Sequence, residues 1–364
     1  MKIVHILADL CTGGGQKFAI DLCNELAQDP ANEVYIFVLD KIDDSFMLVS
    51  KISDKVELIS ADKVGGFSLK TVPKIYKILS KIKPDVVHTH LRALAYSSVP
   101  LILLKIPTIH TVHNVAQKEI GAKIRRYYKF LYDYFNFRPV SISHQVLESV
   151  KSEYGNNQIE LIYNGTKALN KTKQFEKTED YINSLKKTPN TKVFINIARV
   201  SEQKNQVMLI EAFEELLSSG EDVLLLIIGS IDQEYKQKCD KVLKSYDYIR
   251  FEGVKNNISD YLISSDALCL SSLYEGLPIV ILEAFSCAKP TITTPAGGVV
   301  DVIEHKKTGF MSKGFSKDEY VALIKEFIKD PSLKENLKEL FDKNYNITTT
   351  AKKYLELYKK VTNS

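Results

Sequence analysis

Two carboxylates stand eight positions apart in Glu275-Gly276-Leu277-Pro278-Ile279-Val280-Ile281-Leu282-Glu283, with a glycine and a proline between them. Pro278 has a fixed φ and no N–H, which suits the first turn of a helix and puts Glu283 about two turns in. The rise from Ile279 to Glu283 is only about 6 Å, so both carboxylates can face one ligand. Carboxylates accept hydrogen bonds from hydroxyls, and a helix start favours an anion. A polyhydroxylated group carried on phosphate fits both. The same pair could also flank a scissile bond in a hydrolase, at about 5 to 10 Å, but the helix start between them favours nucleotide binding.

Three other segments carry chemistry. Arg199 and Lys204, five apart after a strand in Ile197-Ala198-Arg199-Val200-Ser201-Glu202-Gln203-Lys204-Asn205, can clamp a diphosphate leaving group; alone they would be solvated surface charges. Cys11-Thr12-Gly13-Gly14-Gly15-Gln16 follows the first strand and leads into a helix, so its amides can point at an anion, unless it is simply a tight turn. It is neither a Rossmann G-x-G-x-x-G nor a Walker loop. His113 closes a strand in Thr111-Val112-His113-Asn114, either as a functional residue or as a strand-end hydrogen-bonding group. His110 and His144 are weaker candidates.

His88 and His90 point to one face of a strand, but no third metal ligand is apparent and the chain holds no Asp-x-Asp. Neither a metal nor a cofactor is expected. His5 reads as a core residue, and His90 as a candidate on the acceptor side together with Gly13.

Elements that position these residues alternate β-rich and amphipathic runs, the pattern of an α/β protein with doubly wound parallel sheets. Strands are expected at 2–8, 33–39, 56–59, 85–90, 108–112, 140–143 and 160–162, then at 192–197, 223–229, 248–252, 266–270 and 291–294. Helices are expected notably at 16–26, 69–82, 123–135, 145–154 and, as a surface helix, 349–361. The 364 residues exceed what one core organises. Residues 1–168 and 191–345 read as two Rossmann-like domains, 169–190 as the linker region, and 346–364 as a helix returning to the first domain. Ligands of such sheets bind at strand carboxyl ends, which places the site in a cleft between the domains.

A net charge of +4 is too small to argue for nucleic acid, and five scattered cysteines read as reduced core thiols of a cytoplasmic protein. The most apolar stretches, 99–104 and 223–228, are too short to span a bilayer.

Residues 118–137 interleave Lys118, Lys123, Arg125, Arg126 and Lys129 with seven aromatics. Such a helix can rest peripherally on an anionic membrane. Alternatively its aromatics fill a core and its cations face water.

Over nearly its whole length the chain resembles the retaining glycosyltransferases of the GT-B fold, in particular glycosyltransferase family 4 with its E-x7-E motif. The resemblance is strongest in the block from Phe251-Glu252-Gly253-Val254 through Asp260-Tyr261, Ser265-Asp266-Ala267, Ser271, Glu275-Gly276-Leu277-Pro278, Glu283-Ala284, Lys289-Pro290 and Gly297-Gly298 to Asp301-Val302-Ile303. It implies that Glu275 contacts the donor sugar and Glu283 the ribose, that Arg199 and Lys204 bind the diphosphate, and that Gly13, Gly14 and Gly15 lie near phosphate and acceptor. His113 would stand beside the anomeric centre. Gly276, Leu277, Pro278, Gly229 and Val254 complete the implied donor set.

Leu277-Pro278 in place of Phe-Gly, Asp301 in place of Glu, and Ser286-Cys287-Ala288-Lys289 without the usual glycine leave the sugar open. The implied partners are a nucleotide-diphosphate sugar, UDP favoured, and a saccharide or lipid-diphosphate-linked acceptor in surface polysaccharide or glycolipid assembly. A sugar-nucleotide epimerase, a phosphorylase and a non-catalytic nucleotide-sugar binder are the competing readings.

Overall fold

Near-continuous runs of Val, Ile and Leu such as Val223–Ile228 suit strands covered on both faces, and parallel sheets provide that cover. A computed structural model describes residues 1–363 except 12, 44, 45, 47, 67, 69, 156 and 157. The chain divides into two compact units, 1–167 with 345–364, and 168–344.

In the first unit β1 (Lys2–Leu7), β2 (Glu33–Asp40), β3 (Val56–Lys63), β4 (Val86–His90), β5 (Thr108–Val112), β6 (Arg138–Ser141) and β7 (Glu160–Leu161) form a parallel sheet in the order β3-β2-β1-β4-β5-β6-β7. In the second, β8 (Lys192–Ile197), β9 (Val223–Ile228), β10 (Ile249–Gly253), β11 (Ala267–Leu270), β12 (Thr291–Thr293) and β13 (Phe310–Met311) are also parallel, in the order β10-β9-β8-β11-β12-β13. Winding reverses between β1 and β4 and between β8 and β11, and such reversals open the crevices that hold ligands. The second core is pinned by aromatic contacts: Phe194 lies 5.3 Å from Phe213 and 5.7 Å from Phe327, and Phe310 lies 5.3 Å from Phe327.

Several expected boundaries move. The stretch thought to hold the linker contains the helix Phe175–Leu185, which buries Phe175, Thr178 and Ile182 within the second unit. Residue 69, the expected start of the second helix, lies outside the described residues; the helix spans Thr71–Ile82. A short helix Ala116–Glu119 and the strand β13 were not anticipated, because four and two residues are too few for a period to register. The last helix, Ile347–Thr362, begins at Asn346, whose side chain accepts from the Thr348 amide. Its lysines face outward, but Tyr354 and Tyr358 are fully buried in the first unit, so it is more than a surface helix.

Candidate active site

Residues at the carboxyl ends of β8 and β11 converge on Glu275. Its side chain is only 7% exposed; Lys204 forms an ion pair with Oε1, and the Ser272 hydroxyl donates to the same oxygen at 2.6 Å. The two supporting loops are tied together: the Ser271 hydroxyl donates to the Lys204 carbonyl at 2.8 Å, the Leu273 amide to the Gln203 carbonyl at 2.9 Å, and the Gln203 side chain to the Tyr274 carbonyl at 2.9 Å. A buried carboxylate needs such partners, because desolvating it unpaired costs several kcal/mol.

Gly297 crosses directly over this loop. It has φ +62°, and a Cβ there would fall 1.9 Å from the Glu275 carbonyl oxygen, so only glycine permits the approach.

Pro278 stands just before the helix Ile279–Ser286 rather than inside it, with φ −65°. Gly276, Leu277 and Pro278 are buried, and Glu283, the fifth helical residue, is 7% exposed. Arg199 is exposed and makes no side-chain hydrogen bond or ion pair among the described residues. Lys204 is therefore engaged with Glu275, while Arg199 stands free for an incoming anion. Gly229 and Val254 follow β9 and β10; the Gly229 amide donates to the Gly253 carbonyl at 2.9 Å, and Val254 is half exposed.

The first unit presents its own group at the reversal beside β1. Gly13 and Gly14 are exposed at the start of the helix Gly14–Leu26, which no side chain caps among the described residues. Thr12 lies outside the described residues. Asp9 shapes the loop by accepting from the Cys11 amide and the Gln16 side chain, both at 3.0 Å. Cys11 is exposed, contrary to the expectation of core thiols, and the cysteines are free. A Cβ on Gly15 would meet the His113 ring at 3.3 Å, so the ring lies directly against the helix start.

His90 corrects its expected role: it is fully buried, with Nδ1 3.0 Å from His113 Nε2 and Nε2 3.0 Å from His5 Nδ1. It contacts His113 rather than an acceptor. His5, set in β1 beside His88, also supplies the third ring that the sequence did not reveal, and one nitrogen from each of His5, His88 and His90 lies within 4.8 Å of the others. These nitrogens are occupied by hydrogen bonds to one another and to hydroxyls.

Burial pushes His5 and His113 down to about 3, and holds His88 and His90 well below the usual imidazole range. The missed residue is Glu119, on the unanticipated short helix. Its carboxylate accepts from the Asn114 amide at 3.1 Å and from the His113 amide, and burial raises it to about 8. Only its place as the first acidic residue after the strand-end histidine, six positions on, could have hinted at it.

The basic aromatic helix spans Ala122–Tyr134 and buries Tyr128, Leu131 and Tyr132. Arg125 is not a free cation: it bonds Glu153 at 2.7 Å and the Ile120 carbonyl at 2.8 Å. Lys129 pairs with Asp133 at 3.1 Å and donates to the Tyr154 carbonyl at 3.0 Å. Lys123 and Arg126 are exposed, as are Phe130, Tyr134 and Phe135, whose rings touch. Among the described residues no helix is long and apolar enough to cross a membrane.

Residues 12–168 match the family described as Glycosyltransferase Family 4, and residues 177–343 match Glycosyl transferases group 1. The chain is a family 4-like glycosyltransferase of the GT-B type. This glycosyltransferase is 28% identical over 313 residues to the UDP-Gal:alpha-D-GlcNAc-diphosphoundecaprenol alpha-1,3-galactosyltransferase of Escherichia coli, covering 80% of this chain and 79% of that one. It is 23% identical over 284 residues to the N-acetyl-alpha-D-glucosaminyl L-malate synthase of Bacillus anthracis, with 75% and 73% covered. Its fold matches the crystal structure of Anabaena HepE in complex with UDP-glucose at a TM-score of 0.84 and 19% identity, over 99% of this chain and 100% of that one.

Proposed function

We propose that this glycosyltransferase moves a sugar from a UDP-sugar to a hydroxyl of a lipid-diphosphate-linked saccharide in surface polysaccharide or glycolipid assembly, with retention at the anomeric carbon. The observation that carries the reading is Glu275, buried between Lys204 and Ser272 where winding reverses in the second unit. In this reading Glu275 accepts from the donor sugar's hydroxyls and Glu283 from the ribose. Arg199 and Lys204 hold the diphosphate, so the charge that develops on the leaving group meets fixed cations without a metal. The departing phosphate takes the acceptor proton, and His113 serves the sugar beside the glycine loop. A diphosphate competes with Glu275 for Lys204, which frees the carboxylate to bind sugar.

The donor class is supported by the UDP-glucose complex of HepE and by the UDP-Gal donor in the name of the E. coli relative, and the acceptor class by the diphosphoundecaprenol in that name. Exposed Lys123 and Arg126 beside Phe130 and Tyr134 suit peripheral contact with anionic lipid, where such an acceptor is found.

Arg199→Ala is the cleanest test, because the exposed side chain bonds nothing among the described residues. Turnover of a UDP-sugar with a diphosphate-lipid acceptor should fall by about 10²- to 10³-fold with an unchanged melting temperature. Near-normal turnover would overturn the role. Thermal-shift screening of UDP-, GDP- and ADP-sugars reads donor choice, since preferential binding raises stability.

A further inference from the structure

Alternation along a strand puts every second side chain on one face, and register carries that face across the first sheet. His5 pairs with His88, and His90 pairs with Thr111. His5, His88, His90, Thr111 and His113 thus line one face, covered by Tyr354 and Tyr358 from one side of the last helix.

Six hydrogen bonds join them in a single chain. Tyr354 OH lies 3.0 Å from Thr111 Oγ1, which lies 2.6 Å from His88 Nε2. His88 Nδ1 lies 2.7 Å from Tyr358 OH, which lies 3.2 Å from His5 Nε2. His5 Nδ1 then meets His90 Nε2, and His90 Nδ1 meets His113 Nε2, each at 3.0 Å.

A neutral imidazole has one donor and one acceptor, and a hydroxyl has one proton. The bonds therefore all run in one direction unless a hydroxyl accepts from both neighbours, which strands that hydroxyl's own buried proton. Tyr354 OH has Thr111 as its partner among the described residues. Running outward, the chain would leave the buried Tyr354 proton without an acceptor, an arrangement disfavoured by about tenfold or more. Running inward, Tyr354 donates to Thr111, Thr111 to His88, His88 to Tyr358, Tyr358 to His5, His5 to His90, and His90 to His113 Nε2. The one proton left over sits on Nδ1 of His113, which is only half-buried.

We infer that Tyr354 and Tyr358, acting through this chain, are positioning residues that hold His113 as the neutral Nδ1–H tautomer. His113 Nδ1 has no hydrogen bond among the described residues and lies 3.4 Å from where a Gly15 Cβ would be. It therefore offers a proton at the start of the helix Gly14–Leu26 to an oxygen acceptor, a hydroxyl or a phosphate oxygen. His113 is a donor and not a base, since a second proton on Nε2 would confront the His90 N–H and require at least the three bonds from Tyr358 to His113 to reverse, stranding the buried Tyr358 proton. The low proton affinity that burial imposes on His113 agrees. Only the identity of that oxygen rests on the proposed transfer; the tautomer does not.

Two-bond proton–nitrogen correlation spectra of the full chain, with histidine selectively labelled, read the tautomer directly. His113 is expected as Nδ1–H with a bare Nε2 at neutral pH. Tyr354→Phe should keep that form, because Thr111 then becomes the terminal donor, whereas Tyr358→Phe cuts the chain and should populate the second tautomer above about a tenth. An Nε2–H or doubly protonated His113 in the unaltered protein overturns the inference, as does a single Nδ1–H form in Tyr358→Phe. Stoichiometric zinc binding lost in His5→Gln also overturns it. If Tyr358→Phe fails to fold, the unaltered spectrum alone decides. Failure to transfer any sugar leaves the tautomer readout intact, so the two readings fail separately.

Discussion

The Gly297 backbone lies directly against that of Glu275, and the consequence is local. Gly297→Ala must place a Cβ against the Glu275 carbonyl at a φ of +62°, which costs about 1 to 3 kcal/mol in backbone strain alone. The loop is expected to shift, lowering the urea midpoint and weakening donor binding together. An unchanged donor affinity would show that the Glu275 loop does not depend on this crossing. The same scale explains why His90 was misread: from β4 alone it resembles a residue near the strand mouth, whereas His5 and His113 close over both of its ring nitrogens.

At the scale of the strands, β1, β4 and β5 gather titratable groups into dry surroundings, and this sets a pH dependence. His5, His88, His90, His110 and His113 all titrate lower in the fold than an ordinary imidazole near 6.5. Below about pH 6.5 the unfolded chain binds protons that the folded one refuses, so stability rises with pH across the window between the folded values near 3 and 6.5. Each histidine contributes up to about 1.4 kcal/mol per pH unit there. Glu119 has the opposite sign. Its pKa is raised to about 8 from 4.5, so its contribution is present at low pH and is lost as pH rises from about 4.5 to 8. Histidines outnumber it below 6.5, and it acts without them above. Denaturant unfolding should therefore show stability climbing from pH 5 to 6.5. Glu119→Gln should flatten the decline between 6.5 and 8. A slope near zero below pH 6.5 would contradict the buried neutral rings.

Across the whole molecule, the chain leaves the first unit after Lys167 and re-enters it at Tyr345. The two passages bond each other, Thr166 N to the Tyr345 carbonyl and Ile347 N to the Thr166 carbonyl, both at 3.0 Å. The returning helix buries Ile347, Ala351, Tyr354, Leu357, Tyr358 and Val361. At about 1.5 to 3 kcal/mol for each large apolar side chain, their loss approaches the 5–15 kcal/mol typical of a domain's whole stability. A chain ending at residue 344 should unfold or aggregate through its first unit. Residues 168–344, contiguous and with their own core, should stay folded. Limited proteolysis of the truncated protein checks both, and a protease-resistant first unit would refute the expectation.

The sequence by itself determined the two doubly wound sheets, because apolar strand runs and amphipathic helices have periods that short-range sterics and burial impose. It also determined the order of the Glu275 loop, since Glu275, Pro278 and Glu283 are local in sequence and Pro278 sets the helix start. Tertiary structure alone decided which groups meet. Lys204 and Glu275 are 71 positions apart, and their pairing depends on β8 lying beside β11. His5, His90 and Tyr358 come from the first strand, the fourth and the last helix. Strand order and register, which no local pattern encodes, bring them into one buried chain.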